Sequence, residues 1–212
     1  MGILSSGLLG PVRKKVGPSV TRVHNGINVV GATYRKTKKP ATDKQLEAQA
    51  KFGLLNSFLN HIEELVKPGF KKYAKKKNEI NAAYEYNYEH AFIKEDDHFL
   101  LNFPEIQYSR GRIATPDEPK ISVINNQLNF SWLPQQQYSS CQFTDLASIL
   151  VYNADREAYH QLINVTDRYA GNHSIEIPEH YAGNTLHCYI SFASANGKLT
   201  GDSTYIGGII CP

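Results

Sequence analysis

Gln127-Leu128-Asn129-Phe130-Ser131-Trp132-Leu133-Pro134 alternates apolar and polar side chains and ends on a proline. A period of two is the signature of a strand with one buried face. Phe130 and Trp132 would enter a core, leaving Asn129 and Ser131 on the other side. Asn125-Asn126 just before it is a turn signal, and 120–124 before that is a second short apolar run. The same rhythm continues onward, with strands expected at about 104–110, 120–124, 127–133, 146–152, 159–165, 173–177, 185–194 and 203–210. Between them stand Asn153-Ala154-Asp155, Ala170-Gly171-Asn172, Ala182-Gly183-Asn184 and Ala195-Asn196-Gly197. Short strands at nearly regular spacing predict an antiparallel β-sandwich.

Upstream the period changes. Leu55, Phe58, Leu59, Ile62 and Val66 recur at spacings of three and four, with Leu46, Ala50 and Leu54 extending the stripe towards its start. They predict a helix from Asp43 to about Val66, with Leu55, Phe58, Leu59 and Ile62 as its core or docking face. Thr42-Asp43-Lys44-Gln45 reads as a capping box, and Pro68-Gly69 as the stop. A shorter helix follows from Asn78 to about Ala91, and Glu95-Asp96-Asp97-His98 reads as a solvated turn rather than a metal site. Nearer the start, Val20–Val23 and Ile27–Val30 flank His24-Asn25-Gly26, a strong hairpin signal. A lone hairpin is marginal in water and needs a surface to rest on.

Charge is distributed unevenly. Up to Lys77 there are 16 Lys and Arg against 4 Asp and Glu, a net of +12; beyond it there are 7 against 16, a net of −9. Such a chain either attracts its own kind or presents its basic part to a polyanion. The basic residues placed to do so are Arg35, Lys36, Lys38 and Lys39 before the helix and Lys71, Lys72 and Lys75 after it, with Tyr34 and Tyr73 available to stack. Lysine without interleaved arginine gives little base readout, which favours an acidic protein partner over nucleic acid.

Cys141, Cys188 and Cys211 lack any C-x-x-C spacing and read as buried small hydrophobes. No run approaches the roughly 20 apolar residues that span a bilayer. The apolar, glycine-rich start has no basic region of the kind that opens a signal peptide, so the expected location is the cytoplasm or a particle assembled there. G-x-S-x-G, P-loop, G-x-G-x-x-G and H-E-x-x-H motifs are absent, and the eight histidines are scattered. No reaction, cofactor or metal is implied.

Two resemblances add to this. Gln127–Pro134, with its early Trp132, resembles the second strand of a fibronectin type III module, which implies an immunoglobulin-like sandwich for the C-terminal half. Lys38-Lys39-Pro40-Ala41-Thr42 with Gln45, Gly69-Phe70-Lys71-Lys72-Tyr73-Ala74, Leu150-Val151-Tyr152-Asn153 and Tyr189-Ile190-Ser191-Phe192 resemble an uncharacterised Bacteroidota family, domain of unknown function 6266. That family brings no catalytic residues with it. The N-terminal order of Gly-rich ribbon, basic segment and helix is also similar to small proteins encoded among phage structural genes.

The expected fold is therefore α+β: an N-terminal β-hairpin and two-helix basic unit over 1–98, then an antiparallel Ig/fibronectin-III-like sandwich over 99–212. The expected role is a non-enzymatic structural or interaction protein, a homo-oligomer or part of a larger assembly without a membrane span. Nucleic acid held by the lysine clusters is the alternative.

Overall fold

The computed structural model describes residues 2–3, 14–24, 26–33, 40–96 and 98–212. It divides into two compact units, Met1–Asp43 and Lys44–Pro212. In the first, β1 (Gly2–Ile3), β2 (Lys14–Val16), β3 (Ser19–His24) and β4 (Ile27–Ala32) form one antiparallel sheet in the order β1-β4-β3-β2. The expected hairpin is its centre, closed by the pairing of His24 with Ile27. The two flanking strands carry no period of their own in the sequence and were not expected.

The second unit begins with α1 (Asp43–His61) and α2 (Glu63–Phe70). One continuous helix was expected here. It breaks at Ile62, whose φ of −110° and ψ of 29° are not helical. In the last turn of α1, Asn60 Nδ2 donates to Asn56 O at 2.6 Å and His61 Nδ1 to Ser57 O at 2.7 Å. Side chains thus compete for the carbonyls that the helix backbone uses. The stop expected at Pro68-Gly69 is also displaced, because both residues lie inside α2. Phe70 is fully buried, and Gly69 O accepts from Arg110 N at 3.2 Å, so packing carries the helix two residues past its proline. Next come α3 (Glu79–Asn87), N-capped by Asn78, and a hairpin of β5 (Phe92–Glu95) and β6 (His98–Leu101). Its turn is the expected charged stretch, of which Asp97 lies outside the described residues.

The sandwich follows, with strands at seven of the expected places: β7 (Asp117–Ile124), β8 (Gln127–Leu133), β9 (Leu146–Asn153), β10 (Ala158–Asp167), β11 (Asn172–Glu176), β12 (Thr185–Ala193) and β13 (Thr204–Ile210). Among the described residues the three strands β11-β8-β7 face the four strands β10-β9-β12-β13, all antiparallel. This is the Ig/fibronectin-III-like arrangement. Asn125 and Asn126 both adopt positive φ, 51° and 61°, as a tight hairpin turn between β7 and β8 requires. The strand expected at 104–110 does not form. Phe103–Glu105 is a single 3-10 turn, and beyond it Tyr108 N donates to Ser203 Oγ and Ser109 Oγ to Gly201 O instead of the backbone entering a ladder.

Both faces of the four-stranded sheet are covered. Ile149 and Val151 of β9 and Cys188 and Ile190 of β12 point into the sandwich with Leu128, Phe130 and Trp132. Leu150, Tyr152 and Tyr189 point the other way, into a second core with Leu55, Phe58, Leu59, Ile62, Val66 and Phe70. The helices are thus a third layer on the sandwich, and the division falls at 43/44 instead of the expected 98/99. A fragment of residues 99–212 would expose Tyr189, Leu150 and Tyr108, each at most 1% accessible here. We expect it to aggregate or unfold without cooperativity, whereas 44–212 gives a single urea transition; a cooperative 99–212 fragment would refute the three-layer reading.

Backbones approach closely where the layers meet. A Cβ on Gly111 would stand 1.7 Å from Thr200 O, and one on Gly69 would stand 2.6 Å from Ser109 Cα. Gly111→Ala should cost at least about 1–3 kcal/mol by overpacking. Gly53→Ala, in open space on α1, should gain about 0.5–1 kcal/mol. Urea midpoints of the two variants, moving in opposite directions, check this.

Candidate functional site

Leu55, Phe58, Leu59 and Ile62, the residues assigned to the helix face, are all 1% accessible or less. They form an internal core. Phe58 meets Tyr152 edge-on at 5.4 Å, Tyr159 at 5.8 Å and Phe103 at 6.0 Å. His61 stacks on Tyr159 at 4.9 Å, and its carbonyl accepts from Gln161 Nε2 at 2.9 Å. The stripe does not continue as expected. Leu46, Ala50 and Leu54 are exposed, and every residue from Asp43 to Ala50 faces solvent to a large extent.

Beside that half of α1 lies the β5–β6 hairpin. Lys94 Nζ sits 3.4 Å from Glu47 Oε1, Lys51 Nζ stands 4.6 Å from the centre of the Phe99 ring, and Phe52 packs on Tyr84 at 5.3 Å. Tyr84 and Tyr88 share a helix face, 5.5 Å apart, while Tyr86 points elsewhere and meets Arg110 at 3.9 Å. Residues two apart on a helix do not share a face, so Tyr86 cannot join the other two.

The predicted basic residues fall into two groups. Arg35, Lys36, Lys38 and Lys39 lie outside the described residues. Lys71 and Lys72 stand on a 3-10 turn after α2, exposed, and Lys75 is exposed beyond them. Lys71 and Lys72 line a groove of ≈ 350 Å³ together with Lys67 on one side and Lys198 and Thr200 on the other, and Glu79 also lines it. Lys75 does not line it. Lys198 was not singled out from sequence, since it is a lone lysine in an acidic half and the lysines across the groove are more than 120 positions away in the chain.

Both walls are braced by the segment between β6 and β7. Ser203 Oγ accepts from Tyr108 N at 2.9 Å and Ser109 N at 3.3 Å, Ser109 Oγ donates to Gly201 O at 2.8 Å, and Gly111 N donates to Asp202 Oδ1 at 2.8 Å. Asn87, fully buried, donates to Gln107 O and accepts from Gln107 N, both at 2.8 Å. Sequence reading missed this segment because it has neither period.

It also missed Arg168, the largest buried side chain, only 1% accessible. Its guanidinium lies 3.9 Å over the Phe192 ring and donates to Ala114 O at 2.6 Å and to Gln135 Oε1. Nε stands 3.4 Å from Asp145 Oδ2, close enough for an ion pair but not aligned for a hydrogen bond. Trp132 Nε1 donates to Arg168 O at 2.9 Å. The cation pins the loops at one end of the sandwich and leaves no donor aimed at solvent, so its role is structural. Among the described residues no three His, Cys, Asp or Glu side chains converge as a metal site would require.

The family described as "Family of unknown function (DUF6266)" matches residues 11–207. The chain belongs to this family. No curated protein matches it. Among solved structures, the crystal structure of the chicken CNTN1 FN1-FN3 domains is similar at 14% identity and a TM-score of 0.33, over 49% of this chain and 33% of that one. The DUF6266 chain thus spans about a third of the length of that structure.

Burial favours the neutral forms of a few groups in the DUF6266 sandwich. Burial pushes the Cys188 thiol up to about 12 from its ordinary 9.0, with the nearby Cys211 thiol adding to the shift. Burial likewise raises Tyr108 and Tyr189 and lowers His187, whose Nδ1 lies 2.9 Å from Tyr205 Oη. A thiol whose folded pKa is raised contributes stability that is complete below about pH 9 and is lost as pH climbs from there towards about 12. Unfolding free energy from urea curves should therefore fall above about pH 9, and less steeply in Cys188→Ala. All three cysteines are buried, so a thiol reagent should label them only in denaturant; prompt labelling of the folded chain would contradict this.

Proposed function

We propose that the chain is a non-enzymatic structural or interaction protein that assembles with copies of itself through its N-terminal ribbon and helix and displays the Ig/fibronectin-III-like sandwich. One observation carries this: a run of exposed apolar side chains along the first half of α1 and the hairpin beside it. Leu46 and Phe52 are each 52% accessible, Ile93 45% and Leu100 41%. Exposed apolar side chains grouped on adjoining elements mark interaction surfaces. A second copy is the occupant that charge favours. Met1–Asp43 carries 8 Lys and Arg against one carboxylate, net +7, while Lys44–Pro212 carries 15 against 19, net −4. Copies of one chain therefore attract, and Lys44, Glu47 and Lys51 put both signs on the α1 stretch itself, as a two-fold contact requires.

The alternative is nucleic-acid binding by Lys36, Lys38, Lys39, Lys71, Lys72 and Lys75. It is favoured by the exposure of Lys71, Lys72 and Lys75 beside Tyr73. It comes second because Lys77 is already paired with Glu85 and Arg110 stands 4.7 Å over the Tyr73 ring, covering a face a base would stack on.

Size-exclusion chromatography with light scattering, at low and high salt, tests the proposal. The expected result is a defined oligomer that dissociates towards monomer in the double variant Leu46→Glu, Ile93→Glu. A wild-type monomer at every salt and concentration would sink it, and tight, salt-sensitive binding of a labelled single strand by that monomer would favour the alternative.

A further inference from the structure

We propose that the groove between the end of α2 and the turn joining β12 to β13 binds a small, multiply charged phosphate compound. Three features argue for a built site over scattered surface charge.

First, the charges converge from unrelated parts of the chain. Lys71 and Lys72 come from the 3-10 turn after α2, and Lys198 from a turn more than 120 residues later, into one concavity of ≈ 350 Å³. This happens within a unit whose net charge is −4. Lysines after a helix C-terminus have an ordinary reason to be there, since they complement the helix dipole. Lys198 has no such reason.

Second, the cations are left uncompensated. Among the described residues Lys67 is paired with Glu63 at 3.0 Å, but no carboxylate lies within ion-pair distance of Lys71, Lys72 or Lys198. The single acidic side chain of the lining is Glu79. Like charges gathered in one concavity repel, and an anion between them relieves the repulsion.

Third, both walls are fixed. Ser194 accepts from Gly197 N at 2.8 Å and from Leu199 N through its hydroxyl at 2.9 Å, while Asn196 Oδ1 accepts from Lys198 N at 3.0 Å. The opposite wall is anchored by buried Phe70 and by the contact of Gly69 with Ser109. Thr200 Oγ1 donates to Arg110 O at 2.8 Å, tying one wall to the segment that holds the other. A pre-formed groove binds without the cost of ordering itself.

The size and chemistry select the ligand class. The volume lies at the small-molecule end of roughly 300–1,000 Å³, and the charge does not continue as a track, since Lys75 stands outside the groove and Lys77 is paired. With the Thr200 proton already donated to Arg110, binding rests on ammonium groups acting as point charges, which suits phosphate better than a planar carboxylate. The site stands whether or not the chain oligomerises.

Calorimetric titration of the full chain with sodium tripolyphosphate at low salt tests this, with oligothymidylate as a second probe. The double variant Lys72→Ala, Lys198→Ala removes one charge from each wall and should weaken tripolyphosphate binding about tenfold or more. Lys75→Ala, Lys76→Ala removes the same charge outside the groove and should change it by much less. Absence of binding, equal weakening by both variants, or binding of oligothymidylate that tripolyphosphate does not displace would each overturn the proposal, the last transferring the groove to nucleic acid.

Discussion

Everything in the larger unit follows from one constraint: β9 and β12 are apolar on both faces. A strand in an ordinary sandwich needs cover on one side, and water takes the other. In β9, Ile149 and Val151 face the three-stranded sheet while Leu150 and Tyr152 face away from it, and in β12 Tyr189 does the same opposite Cys188 and Ile190. Each large apolar side chain left uncovered would forfeit about 1.5–3 kcal/mol. The helices are therefore obligatory. Their stripe of Leu55, Phe58, Leu59 and Ile62 and the sheet's aromatic face are two halves of one core.

Holding two layers on a central sheet requires the connecting chain to pass close to both. The stretch from Phe103 to Ile113 does so without forming a strand. Asn87 fastens it to α3, Gly69 lets α2 lie against it, and Ser203 with Gly111 ties it to the chain that enters β13. The far end of the sandwich is held differently, by the Arg168 guanidinium wedged between Phe192, Gln135 and Asp145. A buried ion pair of this kind contributes little net stability, but loss of one partner leaves an uncompensated charge and costs about 3–5 kcal/mol. It fixes where the loops go more than how firmly they are held.

Legibility in the sequence divides along the same line. Of the sandwich strands, β9, apolar on both faces, was readable as a short apolar run closed by the turn residues Asn153-Ala154-Asp155. Most of the others were readable because alternation survives when a strand has two differently composed faces, as Leu186, Cys188 and Ile190 against His187, Tyr189 and Ser191 show. The helix face was readable for the same reason at a period of 3.6. What could not be read was which helix face meets which sheet face, since periodicity reports that a side chain is buried and never against what. The boundary was therefore set where the period changes, at 98/99, when the core ignores that point. The break at Ile62 was hidden because side chains of its own helix compete for the backbone carbonyls, and the helical Pro68 and the irregular run at 106–113 because tertiary packing and hydrogen bonds override local propensity.

The basic residues illustrate the limit most directly. In sequence, Lys71, Lys72 and Lys75 form one cluster; in space the first two belong with Lys198, and the third does not. Charge density along a chain is a poor guide to charge density on a surface once the fold has rearranged its neighbours. The same rearrangement changes the meaning of the charge asymmetry. Counted by compact unit, the lysines after α2 sit on an acidic body, and the strongly basic part shrinks to Met1–Asp43. A broad basic face would act through long-range attraction alone. A local concentration of ammonium groups on an otherwise acidic unit acts over short distances, since its field is cancelled within about a Debye length, and so it selects compact anions that can enter the groove over extended ones that must cross the acidic surface around it.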